Sequence, residues 1–433
     1  MNYQPGLAIG IDCGTSGIRV VALNAEESCV AQASQPLTQQ SPQAWWQTTL
    51  AVLDELFDQL NSSIDLSRHP IALSLDATSS SLLLINNQGE PISDVLMYYD
   101  ARAESAQHIK PHLSANSGAQ GAQSSLAKAF ALSQTLSKQD SDWMVCHQAD
   151  WLMLQLTGQL GISDENNCLK LGYDPVKREW EAATLNFIGI AHLPQVVEPG
   201  NIITELKSTL CQRWKLSQPV VVCAGTTDSI AAFLATGANR IGDASIALGS
   251  TLAFKMLSNQ PYFDASQGIY SHRLGNQWLV GGASNAGGAS LLEKFSLTRL
   301  EQLANQTPLA DCPISDYYPL PQHCSSERFP HINLRQSQLI LGDDLSESQR
   351  FACVVSGLVK IEALGWQRLS DRCQQPILRL FATGGGMKNS AWALLRETQL
   401  PYQHQQPKSE LAAWGAASLA RKGLAQMASV QTT

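Results

Sequence analysis

The sequence predicts an α/β protein built from two domains of similar design. Three observations predict this. The chain has 433 residues, too many for one ordinary hydrophobic core. Its first half alternates short apolar strands with amphipathic helices, the pattern of an α/β fold. The stretch "GIDCGTSGIRVVAL" (Gly10–Leu23) also has a counterpart in "IGDASIALGSTLAFKML" (Ile241–Leu257). In both, a strand runs through a glycine-hydroxyl turn into a second strand, and such self-similarity points to repeated domains. A chance likeness of two hairpins is the alternative.

The elements read as follows. Leu7–Asp12, Arg19–Leu23 and Cys29–Ser34 are three consecutive strands. A helix opens at Ser41-Pro42, with Ser as cap, Pro at the first position, and Trp46, Leu50, Leu53, Phe57 and Leu60 at helical spacing. Ile71–Leu75 is a strand; "DATSSSLLLIN" follows and carries another at Leu82–Ile85. Ser114–Ser125 is small and polar, a loop, while Ala127–Leu136 and Asp150–Leu156 are helical. Val220–Cys223 is a strand that turns through Gly225-Thr226-Thr227 into a helix at Ser229–Leu234. Further on, strands at Ser245–Leu248 and Leu252–Leu257 flank Gly249-Ser250-Thr251. "WLVGGASNAGGASLLEKF" and "LRLFATGGGMKNSAWALLRE" each pass from strand through a glycine-rich turn to a helix. An alanine-rich helix, Glu410–Arg421, closes the chain.

Composition excludes several classes. Hydrophobic residues make up 44% and charged ones only 15%, against a usual ~25% charged. The net charge is −8 with no run of Lys or Arg, which argues against a nucleic-acid partner. An anionic ligand must then be held locally, by backbone amides, a metal or a few cations. No window of ~18 apolar residues exists, so no membrane-spanning helix is expected. The strand that starts by Leu7 leaves no room for a signal peptide. Ten scattered cysteines without a C-x-x-C pair fit buried thiols in a reducing, cytoplasmic compartment rather than a zinc ribbon or a disulfide scaffold. His108 and His112 have Pro111 between them, which spoils a shared helical face; they read as solvated loop histidines. "SSSLLL" lacks the G-x-S-x-G elbow of serine hydrolases.

What chemistry remains is that of phosphate. Gly-Thr-Ser turns present backbone N–H groups and hydroxyls into one concavity, suited to phosphate oxygens. Asp12 ends an apolar strand beside such a turn, where it can hold Mg²⁺, directly or through water, or bind a hydroxyl. The plainer role for Asp12 is to start a hairpin turn. Asp228 follows a strand at the start of a helix, where free N–H groups favour its ionised form. It is either a helix cap or the general base for a hydroxyl attacking phosphorus. The three glycines of "TGGGMKNSAW" allow close approach to a flat ligand, although they fit neither a Walker A loop nor a Rossmann fingerprint. A tight strand-to-helix turn is the alternative there.

Taken together, Asp12-Cys13-Gly14-Thr15-Ser16, Gly249-Ser250-Thr251 and "GGGMKNSAW" resemble, in order and spacing, the signatures of the FGGY carbohydrate kinases. The resemblance covers nearly the whole chain. It implies two ribonuclease-H-like domains of the actin and Hsp70 type, about 1–236 and 237–433, with ATP in the interdomain cleft and the last helix (409–425) free to pack back on the first domain. It implies that Gly14, Thr15 and Ser16 line the first phosphate loop and Gly249, Ser250 and Thr251 the second, and that Gly385, Gly386, Asn389 and Trp392 hold the adenosine. Asp228 matches the catalytic base and Asp12 the carboxylate on the sugar and Mg²⁺ side. "DATSSSLL", "MYYDAR", "QADWLMLQLTG" and "SDENNCLKLGYDP" look most like the D-ribulose-kinase-like pentulose kinases. In that branch the sugar is held by Asp12, Ser79 and Asp228, while Asp100 and Arg102 touch the sugar or support its pocket. The chain departs from the wider family in its shortened connecting segments and in Ala77, where Gly is expected. The expectation is thus an ATP- and Mg²⁺-dependent ketopentose kinase, monomeric or homodimeric, with no nucleic-acid or membrane partner. A kinase for another sugar or polyol (D-xylulose, L-ribulose, ribitol, glycerol) and a non-kinase actin- or Hsp70-like protein are the alternatives.

Overall fold

The strand Leu7–Cys13 is buried at every position, as a central strand covered on both faces must be. In the computed structural model, which describes residues 6–137, 142–309, 317–335, 341 and 344–430, it anchors the first of two compact units. That unit comprises Met1–Ala235 and Leu411–Thr433; the second comprises Thr236–Glu410. The fold is mixed α/β, with one large sheet in each unit.

The seven-stranded sheet of the first unit runs, in spatial order, Ile202–Glu205, Val220–Cys223, Ile71–Ala77, Leu7–Cys13, Gly17–Leu23 and Cys29–Pro36. The last three pair antiparallel, whereas Ile71–Ala77 pairs parallel with both Leu7–Cys13 and Val220–Cys223. A seventh short strand, Thr226–Thr227, also pairs parallel with Ile71–Ala77. The helix Pro42–Ser63 begins at the cap Ser41, whose side chain accepts from the Ala44 N–H. It lays Trp45, Val52, Leu56 and Phe57 on the sheet; Trp46 and Leu50 sit at the margin of that core.

The closing helix, Ala412–Val430, covers the other face of the same sheet, against Leu7–Cys13, Ile71–Ala77 and the helix Asp228–Ala235. Its small residues have a packing cause. A Cβ on Gly10 would stand 1.9 Å from the Ala413 carbonyl, and one on Gly415 would stand 1.8 Å from the Ala231 carbonyl. Backbone meets backbone here, so no side chain fits.

In the second unit a six-stranded sheet runs Tyr270–Leu274, Gln277–Ser284, Leu252–Ser258, Asp243–Leu248, Arg379–Thr383 and Gln403–Gln405. The first four pair antiparallel in sequence, and the last two add parallel. An antiparallel set followed by parallel strands therefore occurs in each unit. The core of this unit lies between the sheet and the long helix Glu347–Cys373.

Two sequence readings are corrected. The helix placed at Ala127–Leu136 spans Ser125–Ser133, because Ser124 caps it two residues earlier. His108 and His112 are exposed but not simply solvated: His108 stacks on Phe130 at 5.7 Å and both rings meet Phe187 edge-on. No helix among the described residues is long and apolar enough to cross a membrane. The described cysteines are free, five of them buried.

Candidate active site

Parallel pairing brings three carboxylates of the first unit together. Asp12 ends one strand, and its Cα partner in the adjacent parallel strand is Asp76. Asp76 in turn pairs with Thr226, two residues before Asp228. Gly225 makes this approach possible, since a Cβ there would lie 2.1 Å from the Leu75 carbonyl. The C-terminal ends of parallel strands are where α/β sheets bind ligands. Asp228 is the first residue of its helix, and its Oδ1 accepts from the Ser229 N–H at 2.7 Å.

The electrostatics follow from crowding. Burial lifts the Asp12 carboxyl above its ordinary range, and the Asp228 charge adds to that, while the Arg19 guanidinium 3.3 Å away opposes it. Asp76 is fully buried, and the one side chain its carboxyl bonds is that of Asp12. Burial raises its pKa well above normal, and the charges of Asp12 and Asp228 raise it further. Sequence reasoning passed over Asp76, although "IALSLDA" shows the signal that singles out Asp12: one acid at the end of an apolar strand.

The turn after Asp76 is fixed by a buried relay. The Tyr98 N–H donates to Ser81 Oγ at 3.0 Å, Ser81 Oγ lies 2.6 Å from Thr78 Oγ1, and Thr78 Oγ1 donates to Gln148 Oε1 at 2.6 Å. Gln148 Nε2 then donates to Cys13 Sγ at 3.3 Å, beside Asp12. Ser79 sits half-exposed in the middle of this turn. Ser80 follows with φ +67°, a left-handed backbone that serine rarely adopts. Asp100 closes the neighbouring segment, its Oδ2 accepting from the Met97 N–H at 2.7 Å. Arg102 donates to the Ala101 carbonyl. Gly14, Thr15 and Ser16 form the turn beyond Asp12; the Gly14 N–H bonds the Gly17 carbonyl, and the Thr15 carbonyl accepts from Gln40 Nε2.

His147 bonds Asp150 at 2.9 Å through Nδ1 and faces Ser125 Oγ at 3.2 Å through Nε2. The order matches a hydrolase triad, but Ser125 and His147 have no exposed surface. The Asp150 carboxylate also accepts from the His147 N–H and caps the helix Gln148–Thr157, so the group is structural.

The second unit holds a cavity of about 590 Å³, a size suited to a nucleotide. Gly249 and Ser250 line one end, Gly385 and Gly386 another, and Leu291, Leu297 and Leu300 form an apolar wall. Thr251 is not part of the lining; its carbonyl accepts from the Gly249 N–H. Gly287 and Gly288 bring the next turn close, so that the Gly288 N–H donates to the Gly249 carbonyl at 2.8 Å. Asn389 caps the helix Ser390–Gln399, accepting from the Trp392 N–H.

Trp392, expected to help hold the adenosine, offers no exposed ring face. It borders the cavity but is fully buried, and a Cβ on Gly386 would meet its Cζ3 at 2.6 Å. The glycine turn lies on the indole, and the ring supports the floor. On the same helix, Arg396 makes two bonds to the buried Glu362, at 2.5 and 2.7 Å, which sequence reasoning also missed.

Comparison with known proteins places the chain in a family. Residues 7–235 match the model of the N-terminal domain of the FGGY family of carbohydrate kinases. The chain is 24% identical to a xylulose kinase of Klebsiella pneumoniae, over 77% of this chain and 72% of the relative. It is 22% identical to a xylulose kinase of Staphylococcus epidermidis, over 98% and 90%. Among solved structures, a xylulose kinase from Brucella ovis superposes with a TM-score of 0.83 at 20% identity, covering 97% of this chain and 91% of that one. The glycerol kinase of Plasmodium falciparum with ADP gives 0.79 at 14% identity, covering 97% and 90%. With the family model matched across more than half of the chain, this chain belongs to the FGGY family of carbohydrate kinases and is a sugar kinase.

Proposed function

We propose that the chain transfers the γ-phosphoryl group of ATP to a hydroxyl of a ketopentose, with D-ribulose as the leading substrate. The observation that carries this reading is the convergence of Asp12, Asp76 and Asp228 at the ends of three adjacent parallel strands. Phosphoryl transfer asks for positioning and charge neutralisation more than for covalent chemistry. Asp12 and Ser79 hold the sugar. Asp228 takes the proton of the attacking hydroxyl as its oxygen bonds to phosphorus and ADP departs with the electron pair. In the first unit Thr15 and Ser16 offer backbone N–H groups to phosphate oxygens, the Gly14 N–H being taken by the Gly17 carbonyl. In the second unit Ser250 does the same, the Gly249 N–H being taken by the Thr251 carbonyl, and the cavity bounded by Gly385, Gly386 and Asn389 takes the adenosine. Asp100 supports the sugar pocket through its turn, with Arg102 beside it.

The carboxylates fit a hard cation. No cluster of three or more acidic, His or Cys side chains forms a metal cage among the described residues, and Mg²⁺ is usually held by one or two carboxylates plus substrate phosphates. Asp12 is the residue that would hold it, through water. When bound, Mg²⁺ neutralises the polyphosphate.

D-xylulose is the second reading, supported by the relatives named above. The test is ADP release by the purified chain with ATP and Mg²⁺ across D-ribulose, D-xylulose, L-ribulose, ribitol, glycerol and gluconate. A ketopentose should exceed the polyols and gluconate at least ten-fold in kcat/KM. Preference for glycerol or gluconate, or ADP release indifferent to sugar, would reject the assignment.

A further inference from the structure

Lys128 lies on the helix Ser125–Ser133 with no exposed surface. A buried ammonium is ordinarily matched by a carboxylate. Lys128 instead donates to two backbone carbonyls, that of Ser80 at 2.8 Å and that of Met97 at 2.6 Å. It forms no ion pair among the described residues. Around it, Lys170 and Arg102 oppose its charge and Asp100 favours it; burial is the larger influence and brings its pKa down to about 8. A lysine kept here at such cost needs a reason that Met or Leu could not supply.

The two carbonyls supply it. One belongs to Ser80, next to Ser79 and in a left-handed conformation. Strained residues persist where their surroundings over-determine them. The other belongs to Met97, whose carbonyl also accepts from the Asp100 N–H. Gln148 fastens Thr78 on one side of Ser79, and Lys128 fastens Ser80 on the other. The same ammonium ties this turn to the segment 97–100.

We propose that Lys128 is a positioning residue of the sugar site: by clamping the Ser80 and Met97 carbonyls it holds Ser79 and the segment 97–100 in the geometry that binds the ketose. It touches neither sugar nor nucleotide. The proposal rests on the reading of Ser79 as a sugar contact, and the experiment separates the two.

The test is steady-state kinetics of the full chain with D-ribulose and ATP for Lys128→Met, Ser79→Ala and the double variant, with circular dichroism as the check on folding. Lys128→Met should raise the sugar KM about ten-fold and leave the ATP KM within two-fold. If Lys128 acts through Ser79, the double variant's increase should fall well short of the product of the single ones, because coupled residues are not additive. A raised sugar KM in Ser79→Ala with none in Lys128→Met overturns the role of Lys128 alone. No change in either variant overturns the Ser79 contact and the clamp with it. Independent, multiplicative effects, or sugar and ATP KM rising together, also overturn the clamp. Should Lys128→Met fail to fold, Lys128→Ala assayed with added ethylammonium decides. Recovery of the sugar KM supports the clamp, and a folded variant without recovery rejects it.

Discussion

Asp12 and Asp76 are direct partners across two parallel strands, so their carboxyls leave the same face of the sheet. Asp76 has no exposed surface, and its carboxyl meets only the carboxyl of Asp12. A buried polar group left unsatisfied costs about 1–3 kcal/mol, and the neighbouring carboxylates add repulsion. Asp76→Leu, an apolar near-isostere, removes that polar group and should therefore stabilise the protein, by about 2 °C or more in Tm, while lowering kcat. Calorimetry and ADP release check the two effects together. A variant less stable than the wild type would show that Asp76 is structural.

Asp228 is expected to be the general base, a role worth typically ~10²–10⁴-fold in rate. Asp228→Asn should lower kcat by that order while ATP still binds, because the cavity of the second unit is untouched. Titration calorimetry with ATP beside the kinetics checks this. A folded variant that keeps more than about a tenth of kcat would reduce Asp228 to a residue that only starts its helix.

On the nucleotide side, Gly386 and Trp392 should fail in different ways. A Cβ at position 386 collides with the indole at 2.6 Å and with the Leu248 Cβ at 2.7 Å. Gly386→Ala should shift the turn and raise the ATP KM several-fold, with the sugar KM unchanged. Trp392→Ala removes a fully buried ring and should cost about 3–5 kcal/mol of stability. Thermal melts and both KM values, measured on each variant, separate the two.

Asp164 gives a pH prediction. It caps the helix Glu165–Cys168, accepting from the N–H groups of Asn166 and Asn167 and from Asn167 Nδ2. Burial outweighs these bonds and raises its pKa to about 7, whereas in the unfolded chain it returns to about 3.9. The folded state thus binds the proton more tightly. This contribution to stability is complete below pH ~4 and is lost as the pH rises through ~7. Asp164→Asn cannot ionise, so its Tm relative to the wild type should climb between pH 5 and pH 8. A difference that stays flat across that range would show that Asp164 does not titrate there.

By itself the sequence determined what is local. Apolar runs, the Ser41-Pro42 helix start and the glycine-hydroxyl turns are read from neighbours a few residues apart. Asp12 and Asp228 stand out because a lone acid beside an apolar strand is conspicuous wherever it occurs. Tertiary structure decided what depends on distant pairing. Asp76 carries the same local signal as Asp12, but only the parallel register makes the two partners. Lys128 reads in "SLAKAFALS" as an ordinary helix lysine; packing removes its water and leaves it two carbonyls. Trp392 reads as one of the residues that hold the adenosine, and the glycine turn folded onto it makes it a floor. The closing helix could be foreseen as a helix, but not its place against Leu7–Cys13, which is set where Gly10 and Gly415 let backbones touch. Propensity and polarity are properties of a short stretch; burial, register and the pKa of an acid or amine depend on what the rest of the chain packs around it.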